Sequence, residues 1–248
     1  MQVFTVLWLR QMRRYVRSRS RVLGAIGQPL LFLLALGYGL GSVYKQAGAG
    51  NYLEFLVPGI IVQTILFSAV FWGMIILFDR RFGFLAELLV APVSRLRILL
   101  GSTSGGATIA LIQAIMLFVA SIAIGFRPVD WAALPLAFLI MALLSLALAF
   151  VGAGIASTVE DFQGFQAINN FVVFPAFFLS SALYPLTAAP PILKLIATLN
   201  PISYAVDGLR HVLIGQGHFL LALDVAVMIA TLVFGMVFAV NRFNRIQM

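Results

Sequence analysis

The sequence predicts an all-helical polytopic membrane protein, and three observations carry that prediction. Six long apolar stretches, at residues 22–43, 56–78, 98–124, 132–157, 165–184 and 219–240, fill most of the 248-residue chain. Each has the length of about 20 residues that, at ~1.5 Å rise per residue, crosses a hydrocarbon core of roughly 30 Å. The chain is 62% hydrophobic and only 10% charged, with a mean hydropathy of +1.06. A soluble domain averages about half apolar and a quarter charged, so no second, soluble domain fits between the stretches. The runs are also continuous, as single helices in lipid require, whereas the strands of a closed barrel alternate at period two.

The elements follow in order. Residues 1–21 form an amphipathic segment with Phe4, Leu7, Trp8, Met12, Tyr15 and Val16 on one side and Arg10, Arg14, Arg17 and Arg21 on the other. Such a helix lies at the membrane surface, aromatics down and arginines toward phosphates or a protein partner. The first apolar run is too long for a signal-peptide core, so the small-residue stretch Ala47-Gly48-Ala49 is read as a loop rather than a cleavage site. Gly37 with Gly41, Gly101 with Gly105, and Gly152 with Ala156 have the four-residue spacing that lets helices approach closely.

Between the second and third stretches, residues 79–97 contain a short amphipathic helix. Phe84, Leu85, Leu88 and Leu89 share one stripe, Arg80, Arg81 and Glu87 point elsewhere, and Pro92 ends the helix. It either rests on the membrane or offers a rigid knob to a soluble partner. Residues 185–218 are too polar to span and too apolar for an ordinary loop. Prolines 185, 190, 191 and 201 divide this segment into helices near 190–199 and 201–214, with Asn200 as N-cap and Pro201 at the first helical position. It reads as a re-entrant hairpin in which Asp207 and Arg210 pair.

The net charge of +8 would suggest nucleic acid in a soluble protein. Here the positive-inside rule accounts for it, and no nucleic-acid partner is expected. Of the 16 Lys and Arg residues, only Lys45, Arg127, Lys194 and Arg210 fall in the outward segments, which puts both termini in the cytoplasm. None of the eight acids falls mid-span, which disfavours an ion-coupled carrier. No nucleophile–base constellation and no lysine-bearing phosphate loop is present; the stretch Gly101-Ser-Thr-Ser-Gly105-Gly106 packs rather than binds phosphate. His211 and His218 show no ligand pattern and read as interfacial. With zero cysteines, disulfides and thiolate metal sites are excluded. No catalytic, cofactor or metal residue is therefore assigned.

Several motifs in order resemble a known family. They are Val57-Pro58-Gly59 opening the second stretch, Glu87-Leu88-Leu89-Val90-Ala91-Pro92-Val93 after it, and Leu199-Asn200-Pro201-Ile202-Ser203-Tyr204 with Gly208 and Arg210 before the last. With six spans and an amphipathic N-terminus, the whole chain resembles the ABC-2 family of ABC transporter permeases, nearest to the bacterial drug-exporter type related to daunorubicin-resistance permeases. Polysaccharide and teichoic-acid exporters share that fold.

The resemblance implies a homodimer of six-span subunits in the bacterial inner membrane, each docked on a separate cytoplasmic ATPase that carries the ATP and magnesium. It implies that the 79–97 helix is the coupling helix, with Arg80, Arg81, Phe84, Glu87, Leu88 and Pro92 facing the ATPase. It makes Tyr184, Asn200, Pro201, Tyr204, Asp207 and Arg210 an outer gate. The aromatics of the second and fifth stretches suit a hydrophobic drug-like or lipid-like cargo.

Overall fold

Apolar runs that must satisfy their own backbone polar groups without water fold as helices, and every regular element among the described residues is helical. The computed structural model describes residues 2–46, 50–90 and 92–246. Ala47-Gly48-Ala49 and Ala91 of the loop motif lie outside them. Helices α1 (Gln2–Val16), α2 (Arg19–Gly39) and α3 (Gly41–Gln46) lead into α4 (Tyr52–Arg81). The short α5 (Phe84–Val90) follows, then α6 (Arg95–Ile124) and α7 (Leu134–Thr158). Next come α8 (Phe162–Ile168), a π turn (Asn169–Val173) and α9 (Phe174–Phe178). The order ends with α10 (Pro191–Leu199), α11 (Pro201–Ile214) and α12 (Leu221–Asn244).

Among the described residues five helices, α2, α4, α6, α7 and α12, are long and apolar enough to cross a membrane. The fifth apolar stretch of the sequence is the exception. It is a composite of α8, the π turn and α9, and ends at Phe178 rather than at residue 184. Pro175 has no N–H to offer the carbonyl one turn earlier, and a π turn just before it absorbs the mismatch. The chain then leaves the helix through Ser181, whose φ of 62° lies in the left-handed region. The first stretch is also shorter than expected, because α2 stops at Gly39 and breaks at Leu40 before α3.

The core is built around α4, which packs against α2, α6, α7 and α11 and is buried along most of its length. Its approach to α7 is a glycine-on-glycine crossing: a Cβ on Gly73 would overlap the backbone of Gly152, and one on Gly152 would overlap that of Val70. The Gly101 and Gly105 pair packs as its spacing suggests, but its partner is α1, against Phe4, Leu7 and Gln11. Of the Gly37 and Gly41 pair only Gly37 faces a neighbour, where a Cβ would stand 3.5 Å from the Leu53 side chain of α4, while Gly41 has nothing within 4 Å.

Contacts sort the molecule into two ends. At one end α1 lies along the first half of α6, where Trp8 donates to Thr108 Oγ1 at 3.0 Å and Gln11 donates to Ser102 Oγ at 3.1 Å. Arg10 pairs with Asp79 at the foot of α4. Arg81 reaches the Glu160 carbonyl at 3.5 Å, and Arg95 reaches the Asn244 carbonyl at 2.8 Å. The buried stripe of α1 is Leu7, Gln11 and Tyr15, whereas Phe4 and Val16 are exposed. The expected apolar face is thus rotated, because Gln11 finds hydroxyl and carbonyl partners on α6. At the other end Tyr38 donates to the Ile124 carbonyl, and the Val129 N–H donates to the Leu213 carbonyl.

Candidate functional site: a polar cleft, a short loop helix and a proline-rich hairpin

A cleft of about 680 Å³ opens between α2, α4, α6 and the α8–α9 composite. Gln63 of α4 and Gln113 of α6 both line it, and both are buried. Gln28, Gln166, Asn169, Thr64 and Ser68 add polar groups, and Phe67, Phe71, Trp72, Phe78 and Phe174 supply rings. The rings of Phe67 and Phe174 lie 4.5 Å apart. Thr64 satisfies its hydroxyl on the Ile60 carbonyl at 2.9 Å, but the Gln63 Oε1 and the Ser68 Oγ are buried without a partner. A buried amide oxygen left unpaired costs roughly 1–3 kcal/mol, so Gln63 keeps an unmet acceptor at the cleft wall. Arg14 of α1 stands at the cleft's charged end. Sequence reasoning pointed to the aromatics of the second and fifth stretches, which include Phe67, Phe71, Trp72 and Phe174, but not to the amides. Glutamines scattered over separate helices give no linear pattern; the signal available was their mid-stretch position.

The 79–97 segment holds a short helix, α5, as its sequence suggests. Gly83, at a φ of 77°, turns the chain sharply from α4 into α5, a conformation other residues rarely adopt. Yet the apolar stripe of α5 faces the body. Leu85 is buried, Leu88 and Leu89 are half-buried, and Phe84 lies under the Arg10 guanidinium at 4.2 Å. Of the residues expected to face a partner, Arg81, Glu87 and Pro92 are exposed, Arg80 is intermediate, and Phe84 and Leu88 instead seat the helix. Phe82 and Val90, which the stripe did not include, are exposed beside them, at 77% and 85%.

Of the six residues singled out around the 185–218 segment, Asn200, Tyr204, Asp207 and Arg210 are tied down by hydrogen bonds. The Asn200 side chain accepts from the Ile202 N–H at 3.0 Å and donates to the Ala176 carbonyl at 2.6 Å, with Pro201 opening α11 as expected. Tyr204 donates to the Thr198 carbonyl at 2.7 Å and stacks on Phe219. Tyr184 is half-buried. Asp207 and Arg210 do not form the expected ion pair. Asp207 instead accepts from the N–H groups of His218 and Phe219, at 2.7 to 2.9 Å. Arg210 donates to the Ser181 and Ala182 carbonyls at 3.0 Å and lies 3.7 Å from the Phe55 ring centroid. Those carbonyls follow α9, where the chain has left the helix and needs donors, and that demand turns the guanidinium away from Asp207.

Long apolar crossings, a polar cleft among them and a stiff helix at the basic end define a polytopic membrane protein of the permease class. Residues 2–214 match the ABC-2 type transporter family, and the chain belongs to that family. It is 36% identical over 203 residues to a putative transport permease, ycf38, of Porphyra purpurea, covering 79% of this chain and 68% of that one. It is 29% identical over 199 residues to nodulation protein J of Rhizobium leguminosarum bv. trifolii, covering 79% and 75%. It is 28% identical over 215 residues to the inner membrane transport permease YadH of Escherichia coli K12, covering 84% and 82%. The chain is therefore a membrane permease subunit of an ABC transporter rather than its ATPase. Family membership implies an ATPase partner and the bilayer.

Proposed function

We propose that this permease is the pathway-forming subunit of an ATP-driven exporter in a bacterial inner membrane, and that its cargo enters through the cleft between α2, α4, α6 and the α8–α9 composite. In this reading the composite counts as the sixth crossing, both termini are cytoplasmic, and two copies face each other with one ATPase docked under each. The observation that carries the reading is the unpartnered Gln63 oxygen in a cleft walled by both amides and rings. That lining suits an amphipathic, drug-like or lipid-like molecule with a hydrogen-bonding head, whose rings or chains stack on the phenylalanines. The amides also favour a second reading, export of a polysaccharide or teichoic acid, because amides match hydroxyl-rich surfaces. A secondary transporter working without ATP is the rival from another class.

The test uses the permease reconstituted with its ATPase. Gln63→Leu removes one hydrogen bond to cargo, about 1.4 kcal/mol, and is expected to raise the half-stimulating cargo concentration about tenfold while basal ATP hydrolysis is unchanged. Amphipathic drugs and glycans are compared as stimulants on the same preparation. Unchanged stimulation in Gln63→Leu and Gln113→Leu alike rejects the cleft as the route. Transport that persists without the ATPase rejects the exporter reading altogether.

A further inference from the structure

At the outer end, α11 and α12 bring together three metal-capable side chains that the exporter reading does not use. Asp207 and His211 stand one turn apart on α11, and Asp224 faces them from the first turn of α12. One donor atom from each lies within 4.8 Å of the other two. We propose that these residues form a binding site for one divalent transition-metal ion of the zinc class.

The independent pointer is Asp224. It is 0% exposed, and neither of its carboxylate oxygens has a hydrogen-bond partner. A buried carboxylate with nothing to bond is unstable unless a cation or a proton joins it. A proton on Asp224 still needs an acceptor, and none lies within reach of either oxygen. Arg210 forms no ion pair with Asp224; its guanidinium donates to the Ser181 and Ala182 carbonyls and lies over the Phe55 ring. Two carboxylates balance the charge of one divalent ion.

The donor set also selects the ion. One imidazole nitrogen with two carboxylates suits zinc and its neighbours, whereas calcium and magnesium prefer oxygen alone. Ligands about 2.1 Å from one zinc ion lie no more than roughly 4.2 Å apart, so small side-chain rotations close the set. Asp207 keeps free lone pairs after accepting from the His218 and Phe219 N–H groups. Two glycines shape the place: a Cβ on Gly208 would stand 3.4 Å from the Asp224 Cβ, and one on Gly217 would overlap the His211 ring. His218, the other histidine, is exposed and outside the cluster. An ion here fastens the outer hairpin to the last crossing helix, whatever the cargo.

The test needs no transport assay. The full-length chain is purified in detergent, stripped with chelator and titrated with zinc chloride, with bound zinc read by elemental analysis and stability by thermal unfolding. About one zinc per chain with a rise in unfolding temperature is expected. Asp224→Asn and His211→Gln are each expected to weaken binding at least tenfold, with His218→Gln unchanged. If Asp224→Asn fails to fold, His211→Gln alone decides. No stoichiometric zinc on the parent chain overturns the proposal. So does binding that survives His211→Gln, or that is lost in His218→Gln instead, since either assigns the metal to a surface histidine.

Discussion

At the residue scale, positions that lack a side chain decide how closely the crossings approach. Gly73 and Gly152 let α4 and α7 touch backbone to backbone at the centre of the molecule. Gly73→Leu forces those backbones apart, and overpacking of this kind costs about 1–3 kcal/mol or more. A clear fall in detergent unfolding temperature is expected, while Gly41→Leu, which meets open space, leaves it unchanged. The sequence marked Gly152 by its spacing from Ala156 but gave no sign of Gly73, because a helix-crossing glycine needs a partner on another helix and no local motif. The same limit hid Gln63 and Gln113, whose significance arises only when α4 and α6 lie side by side. Arg210 shows the reverse case. Its spacing from Asp207 permits a pair, and the demand of non-helical carbonyls two elements away overrides it.

At the element scale, α5 is a peg whose inner face is glued and whose outer face is bare. Leu85, Leu88 and Phe84 bind it to the body, leaving Arg81, Phe82, Glu87 and Val90 outward. Charge reversal on the outer face should therefore spare folding and damage coupling. Glu87→Arg is expected to leave membrane insertion and thermal stability unchanged, and Arg81→Glu, which also loses the Glu160 contact, to leave insertion unchanged, while in both cargo no longer stimulates ATP hydrolysis by the reconstituted partner. Normal transport by both variants would count against a coupling role. Helix bounds here were legible from the sequence: Pro92 after α5, and Asn200-Pro201 at the start of α11, are local chemistry. The break in the fifth stretch was not read, although Pro175 was visible, because prolines inside membrane helices are common. The neighbouring Pro58 and Pro29 sit within intact helices.

At the scale of the whole molecule, the proposed topology follows from which segments meet. α1, the foot of α4, Glu160 and the end of α12 are joined by the bonds of Arg10, Arg81 and Arg95, so they meet at one end of the molecule, which the proposed topology puts in the cytoplasm. Reporter fusions at both termini are expected to register as cytoplasmic, and a fusion within 185–190 as external. That outcome requires the α8–α9 composite to cross. Termini reporting on opposite sides would mean that it does not.

The grip of α1 on α6 also bears on how the chain is made. Trp8 finds its hydroxyl partner 100 residues later, at Thr108, and Gln11 finds its own at Ser102. Because α1 precedes α6 in the chain, this contact closes only after α2, α4 and α6 have been inserted, even though Arg10 can already pair with Asp79 of α4. A closed α1–α6 contact therefore reports that the first half of the bundle is in place.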